Sequence, residues 1–218
     1  MARPPRLLTL GAALVLTAVL SACTADAETP APLPSTPVVQ LGAPGEPNRT
    51  LSPEEAAALG SPEHIEADTV FVRDMLHHHA QAILMTGFVP DRTADEDIRM
   101  LAARMDTSQQ DEMKQMEKWL QDRGEPVRDP DAAHDAHAGM PGLLTEAELA
   151  ELEAAEGAEF DTLFLEYMIR HHEGAIAMVH ELFEANGGQE PEIGVIARHV
   201  EADQEIEIER MKGMLAER

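Results

Sequence analysis

Two pairs of adjacent histidines occupy equivalent places in a segment that the chain contains twice. Residues 68–86 read DTVFVRDMLHHHAQAILMT and residues 161–179 read DTLFLEYMIRHHEGAIAMV, so a shift of 93 positions aligns them. Neutral imidazole binds copper, zinc, nickel and iron, whereas thioether sulfur favours soft Cu(I). The repeat therefore predicts a metal site, with copper preferred over iron or zinc. The candidate ligands are His78, His79, Met75 and Met85 in the first copy and His171, His172, Met168 and Met178 in the second.

Helical spacing places these side chains on matching faces. On an α-helix, positions i, i+4, i+7, i+11 and i+14 share a face, and Met75, His78 and Met85 follow this spacing from Phe71. His79 lies about 100° further round the helix, one turn after Met75. The second copy repeats the arrangement near the middle of its own helix. The two sets of imidazoles can then meet at mid-height in a helical core.

Start and stop signals predict an all-α fold with four long helices. A short additional helix is expected where Thr145 and Glu148 form a capping box. The first long helix is predicted from Ser61-Pro62 to Val89-Pro90, and the second from Thr93, with Glu96, to Gly124. The third is predicted from Gly157 to Asn186-Gly187-Gly188, and the fourth from Pro191 to the C-terminus.

The repeat extends into the second helix of each pair. There a shift of 95 positions matches Gln109 with Gln204 and Glu112 with Glu207, so the repeated unit is a helical hairpin, at about 61–124 and 157–218. Two such hairpins can bury their apolar stripes against each other as a four-helix bundle. The link at 125–156 is far longer than a tight bundle turn. It predicts a ferritin-like bundle with a long crossover between helices 2 and 3.

Two other interpretations of the histidines stay open. A di-iron carboxylate site needs glutamates on two helices and Glu-x-x-His on the other two. The long helices contain no Glu-x-x-His, although Glu112 and Glu207 could supply accessory carboxylates or hydrogen bonds to the ligands. A ferroxidase-type oxidoreductase therefore ranks below copper binding. The third interpretation is a metal-free interaction module whose histidines form a polar network with carboxylates and fix the packing of the core.

A second group of donors lies in the acidic crossover. His134, His137 and Met140 could capture metal as an accessory site, or could belong to a solvated loop. Hydrolytic catalysis has no support, because the chain lacks a Gly-x-Ser-x-Gly elbow, a Gly-rich phosphate loop and a cysteine in the folded domain. We assign no catalytic residue, and enzymatic activity is not expected.

The N-terminus predicts export. Residues 1–22 combine Arg3 and Arg6 with an apolar stretch too short to span a bilayer and a small-residue exit, which is typical of a signal peptide. Cys23 follows directly and is the single cysteine of the chain. The sequence Leu-Ser-Ala-Cys resembles the lipobox of bacterial lipoproteins. We therefore expect lipidation of Cys23 and anchoring to the outer face of the cytoplasmic membrane, within the cell envelope.

Composition divides the remaining chain and limits its partners. Residues 23–51 are rich in proline and are expected to form a disordered tether, whereas residues 52–218 suit one four-helix domain. The chain carries 16 Lys and Arg against 41 Asp and Glu, a formal charge of −25. Nucleic acid is excluded as a partner because binding phosphates needs clustered cations. A metal ion and the membrane are the expected partners, and the sequence indicates no particular protein partner.

The chain resembles the bacterial family called domain of unknown function 305 over about residues 40–218. Members of this family are similar to ferritin-like bundles, are often exported or lipid-anchored, and in some cases are associated with copper binding through His and Met. The resemblance implies a copper role for the eight candidate ligands and supplies no catalytic role. It rests on the motifs Asp68-x-x-Phe71-x-x-x-Met75-x-x-His78-His79-x-x-Ala82, Met140-Pro-Gly-Leu-Leu and Phe160-Asp161-x-x-Phe164-x-x-x-Met168-Ile-x-His171-His172-x-Gly174-Ala175.

Overall fold

Long helices make up most of the described chain. The computed structural model describes residues 38–40, 47–58, 60, 62–127 and 139–218. The predicted signal peptide, Cys23, His134 and His137 lie outside these residues. The described elements are the strands β1 (Val38–Gln40) and β2 (Arg49–Leu51) and the helices α1 (Pro53–Ala58), α2 (Glu66–Arg92), α3 (Glu96–Asp122), α4 (Glu146–Ala154), α5 (Gly157–Glu184) and α6 (Pro191–Ala216).

The chain divides into one unit up to Leu59 and another from Gly60 to Arg218. In the first unit, β1 and β2 pair as an antiparallel ladder with Val39 opposite Thr50. Ser52 and Glu55 then exchange backbone and side-chain hydrogen bonds at the start of α1. Both strands lie within residues 23–51, for which the sequence predicts a disordered tether and most of which lie outside the described residues.

Two predicted helix starts are wrong by a few residues. Helix α2 begins at Glu66 rather than at Ser61-Pro62, and the Asp68 carboxylate accepts a hydrogen bond from the Ile65 amide at 2.9 Å. Helix α3 is capped by Asp95 rather than by Thr93, because its carboxylate accepts from the amides of both Asp97 and Ile98. In both helices a carboxylate oxygen therefore accepts hydrogen bonds from backbone amides at the N-terminus, which have no partner within the helix.

Three other sequence signals are confirmed, whereas the predicted end of the first long helix at Val89-Pro90 is not. Thr145 and Glu148 form the predicted capping box of α4, and Pro191 is the first residue of α6. Gly124 lies two residues beyond the end of α3 in the left-handed region, at φ 71°. Pro90 does not end α2, which continues to Arg92. A proline so close to a helix end removes only one backbone hydrogen bond.

Contacts at the helix ends define the direction of each helix. Asp68 at the start of α2 accepts a hydrogen bond from Gly188, just beyond α5, so α2 and α5 are antiparallel. Trp119 near the end of α3 donates to Glu190, the N-cap of α6, at 3.0 Å, so α3 and α6 are also antiparallel. Helices α3 and α5 therefore run in the same direction. The connection between them must return along the bundle, which confirms the ferritin-like four-helix bundle with one long crossover.

The crossover is fixed to the seam between α2 and α5. The Gln81 side chain donates to Leu144 O at 3.0 Å and accepts from Leu144 N at 2.7 Å. Gly174 on α5 allows the backbone of Pro141 and Gly142 to lie directly on the helix, because a Cβ there would overlap Pro141 O. Among the helices of the described chain, none has both the length and the apolar character needed to cross a bilayer.

We predict that Gly174→Ala destabilises the bundle. The added methyl group meets backbone atoms rather than a movable side chain, so the crossover must shift, at a cost of roughly 1–3 kcal/mol in unfolding free energy. Urea unfolding measures this change. Gly213→Ala on α6 is the matched control, since a Cβ there meets nothing within 4 Å and should raise stability by about 0.4–1 kcal/mol. Equal effects of both substitutions would contradict the proposed contact.

Candidate metal centre

The four histidines of the repeat meet in the middle of the bundle. His78 on α2 and His171 on α5 lie face to face, with ring centroids 3.8 Å apart and planes tilted by 42°. The ring of His172 is 6.2 Å from that of His171. All four side chains are buried, with at most 1% of any residue exposed. The helical spacing thus brings both copies together as the repeat predicted.

Two of the imidazoles are held by carboxylates in equivalent positions of the repeat. His79 Nε2 lies 2.6 Å from Glu112 Oε2, and His172 Nε2 lies 2.8 Å from Glu207 Oε2. A carboxylate only accepts hydrogen bonds, so each ring carries its proton on Nε2. The lone pair on Nδ1 then points away from the carboxylate. This is the arrangement by which carboxylates orient histidine ligands in metal sites.

The other two imidazoles also present bare nitrogen atoms. His78 Nε2 lies 3.1 Å from Pro141 O, and because a carbonyl only accepts, this ring too has its proton on Nε2. Neither ring nitrogen of His171 has a hydrogen-bond partner among the described residues. The Nδ1 atoms of all four histidines are buried and without such a partner. Buried polar atoms without partners are rare in native proteins and require an explanation.

The electrostatics of the centre keep the central rings neutral. Burial is the largest cause that lowers the pKa of His78 to about 3; the neighbouring His79 contributes to the shift, and the hydrogen bond with the Pro141 carbonyl opposes it. Burial, together with the neighbouring histidines, also lowers the pKa of His171 well below its ordinary value. Both rings are therefore neutral imidazoles at neutral pH.

The methionines flank the histidines at both ends. Met75 and Met178 lie in one apolar cluster, with Met140 of the crossover packed against it, and Met85 and Met168 lie in the other. This crossed pairing follows from the antiparallel directions of α2 and α5. Of these four helix methionines, Met178 is the most exposed, at 6%. Thioether sulfur is thus present on either side of the imidazoles.

The donors fit a soft ion held by nitrogen and sulfur. In the described part of the chain, no three His, Cys, Asp or Glu side chains are already arranged to hold an ion. Imidazole nitrogen and thioether sulfur are the donor types that Cu(I) prefers, and imidazole also suits Cu(II). Glu112 and Glu207 bond to the histidines, which is the hydrogen-bonding role that the sequence left open for them.

The sequence analysis proposes no role for three buried polar features beside the histidines. Gln109 and Gln204 are both 2% exposed and have side-chain oxygens without hydrogen-bond partners in the described chain. The sequence signal that could have identified these two glutamines is their equivalence in the repeat, since each precedes a histidine-bonding glutamate by three residues. The contact between Pro141 and His78 spans 63 positions in sequence, and no local pattern predicts it.

Comparison with known proteins places the chain in a family. The sequence profile described as Domain of unknown function (DUF305) matches residues 68–215. The chain belongs to the DUF305 family. No sequence among the curated proteins matches this DUF305 chain.

Solved structures share its fold. A DUF305 fragment from Deinococcus radiodurans is 34% identical, covers 72% of this chain and 100% of its own, and has a TM-score of 0.64. A DUF305 protein from Streptomyces coelicolor, described as secreted, is 34% identical over 69% of this chain and 93% of its own, with a TM-score of 0.63. CopM in a Cu(II)-bound form is 28% identical over 69% of this chain and 96% of its own, with a TM-score of 0.58. CopM structures with Cu(I) and with silver are also similar to this DUF305 chain.

We predict that the metal-free protein loses stability as the pH falls from 6.5 towards 3. In this window the unfolded chain protonates His78 while the folded protein does not, so acid favours unfolding. Each such histidine contributes a slope of up to about 1.4 kcal/mol per pH unit. Urea unfolding at pH 7 and pH 5 should show that the free energy of unfolding falls less between these pH values for His78→Gln than for the wild type. His180→Gln, at an exposed position that pairs with Glu201, should leave the pH slope unchanged.

Proposed function

We propose that this DUF305 protein is an extracytoplasmic copper-binding protein that sequesters the metal or takes part in its homeostasis. The observation that carries the proposal is the group of four buried imidazoles whose Nδ1 atoms have no hydrogen-bond partner among the described residues. Similarity to CopM, which has been crystallised with Cu(I), Cu(II) and silver, supports copper as the metal.

The proposed ligands divide into two chemical types. His78, His79, His171 and His172 would supply imidazole nitrogen, which binds both Cu(I) and Cu(II). The thioethers supply soft sulfur, which selects Cu(I) and, by the same chemistry, Ag(I). Copper bound there would have its charge balanced by the carboxylates behind His79 and His172. The proposed thioether ligands are Met75, Met168, Met85 and Met178.

The burial of the four histidines favours retention of a metal ion over catalytic turnover. The histidines are covered by the four helices and, above His78, by the crossover. An ion bound in such a centre is shielded from water, and its release needs several donors to detach. These properties suit storage or transfer to an acceptor, whereas catalysis also needs an open coordination position.

We predict that the protein binds Cu(I) and Ag(I) tightly and that His78→Gln with His171→Gln weakens binding at least about tenfold, or about 1.4 kcal/mol. Glutamine retains a donor for Pro141 O but removes two imidazole ligands. Competition with a colour-forming Cu(I) chelator gives the affinity, and native mass spectrometry gives the stoichiometry. His180→Gln is the control. Absence of binding in the wild type, or wild-type affinity in the double variant, would refute the proposal.

The methionine ligands are tested in the same titration. Met75→Leu with Met178→Leu, and separately Met85→Leu with Met168→Leu, conserve volume and remove two sulfurs at one end of the centre. We expect a larger loss of affinity for Ag(I) than for Cu(II), because thioether prefers soft ions. A leucine pair that leaves both affinities unchanged would assign those methionines to packing alone.

A ferritin-like di-metal oxidoreductase is the second candidate. The observation in its favour is that Glu112 and Glu207 approach the histidine layer from α3 and α6 in equivalent positions. Such an enzyme would consume oxygen when Fe(II) is added to the metal-free protein. Oxygen uptake that is lost in Glu112→Gln with Glu207→Gln would favour this candidate over sequestration, and the absence of uptake would exclude ferroxidase activity.

Export and lipid anchoring are part of the proposal. They rest on the signal-peptide pattern and on Cys23, together with the description of the similar Streptomyces protein as secreted. We predict that the full chain, expressed in a bacterium, incorporates a labelled fatty acid and fractionates with the membrane. Cys23→Ser should lose both the label and the membrane association. A soluble, unlabelled wild type would show that the anchor is absent.

A further inference from the structure

A cleft between α3 and α6 leads towards the histidines from the side opposite the crossover. It contains two adjoining cavities of about 250 and 550 Å³. Ser108, Asp111 and Asp203 line both of them, so the cavities share a wall. Glu112 lines the smaller cavity and Glu207 lines the larger one.

The two glutamates connect the cleft with the buried centre. Their side chains are 11% and 8% exposed on the cleft side, and their Oε2 atoms reach His79 and His172 on the core side. A single glutamate side chain therefore lies between each cavity and an imidazole. An ion that reaches either glutamate is already adjacent to a ligand of the proposed centre.

Buried amide oxygens lie one helical turn from each of the two glutamates. Gln109 and Gln204 are one helical turn before Glu112 and Glu207, and so lie on the same helix faces. Their Oε1 atoms are buried and have no hydrogen-bond partner among the described residues. Neutral oxygen atoms in such positions can replace water around a cation as it leaves solvent.

On the opposite side of the bundle, the described end of the crossover covers His78. Pro141 and Gly142 lie on the backbone of α5 at Gly174, and Pro141 O bonds to His78. The Gln81 amide holds the same segment to α2 through both its nitrogen and its oxygen. An ion approaching from that side would have to displace the crossover.

We propose that the α3–α6 cleft is the route by which the metal ion enters and leaves the histidine centre, with Glu112 and Glu207 as its inner carboxylates. This inference rests on the proposed function. Burial is the main cause that raises the pKa of Asp203 in this cleft; the charges of Glu112 and Glu207 add to the shift, and His199 and Arg104 oppose it. Arg104 lines the larger cavity, so the smaller cavity beside Glu112 is the more favourable entrance for a cation.

The test measures rates rather than affinity. Ser108→Trp places a large ring in the wall shared by both cavities, while the proposed ligands stay intact. Protein loaded with Cu(I) is mixed with an excess of a colour-forming chelator, and the release of Cu(I) is followed by absorbance. We expect release to slow by about tenfold or more with an unchanged dissociation constant, since blocking a path changes both directions equally. Ala80→Trp, at an exposed position on α2, is the matched control.

A charge variant tests the same route without adding bulk. Asp111→Asn with Asp203→Asn removes two acids that line both cavities, and the exposed pair between Asp111 and Lys114 contributes little to stability. We expect an association rate, obtained from the release rate and the dissociation constant, that is about tenfold lower and less dependent on salt. Glu166→Gln with Glu181→Gln, two exposed acids of α5, is the control of equal charge.

The outcomes separate this inference from the proposed function. If the wild type binds copper, and Ser108→Trp and the asparagine pair both exchange it at wild-type rates, the route is wrong and the binding function stands. If the wild type binds no copper, both proposals fail. If Ser108→Trp does not fold, as judged by circular dichroism, the exchange rate of the Asp111→Asn, Asp203→Asn variant tests the route by itself.

Discussion

The architecture of the bundle core depends on how four imidazoles are buried among its helices. A histidine inside a protein must be neutral or paired, and here burial lowers the pKa of His78 and His171 far enough to keep them unprotonated. Three of the rings direct Nε2 towards a fixed oxygen, from Glu112, Glu207 or Pro141. Those three bonds leave Nδ1 bare on each ring. The fold thus maintains unsatisfied nitrogen in its core, which is costly unless something binds it.

Duplication of a hairpin explains most of this geometry, and the crossover explains the rest. The bonds from His79 to Glu112 and from His172 to Glu207 are the same contact made twice by the repeat. The contact of His78 with Pro141 has no counterpart at His171, because a single crossover covers the seam. The two halves of the repeat therefore differ at this pair of equivalent histidines.

Hard and soft donors occupy different depths of the molecule. Carboxylates lie in the α3–α6 cleft and just behind the histidines, whereas thioethers lie within the apolar clusters. Oxygen interacts well with hydrated cations, and sulfur with dehydrated soft ions. An ion moving inwards along the proposed route would exchange oxygen contacts for nitrogen and sulfur. The order of these layers is consistent with uptake of a soft metal into a storage site.

Sequence alone determined the helices, the hairpin repeat and the matching faces of Met75, His78, His171 and Met168, because helical periodicity is local and survives without tertiary contacts. It also showed that Gln109 and Glu112 occupy the same positions of the repeat as Gln204 and Glu207. It misplaced the starts of α2 and α3, since which carboxylate caps a helix depends on a few competing neighbours. Only the tertiary structure decided that Met75 shares a cluster with Met178, that Pro141 covers His78 and that a cleft opens beside Glu112. Those relations depend on helix directions and on a crossover, which connect residues far apart in the chain and leave no periodic signal.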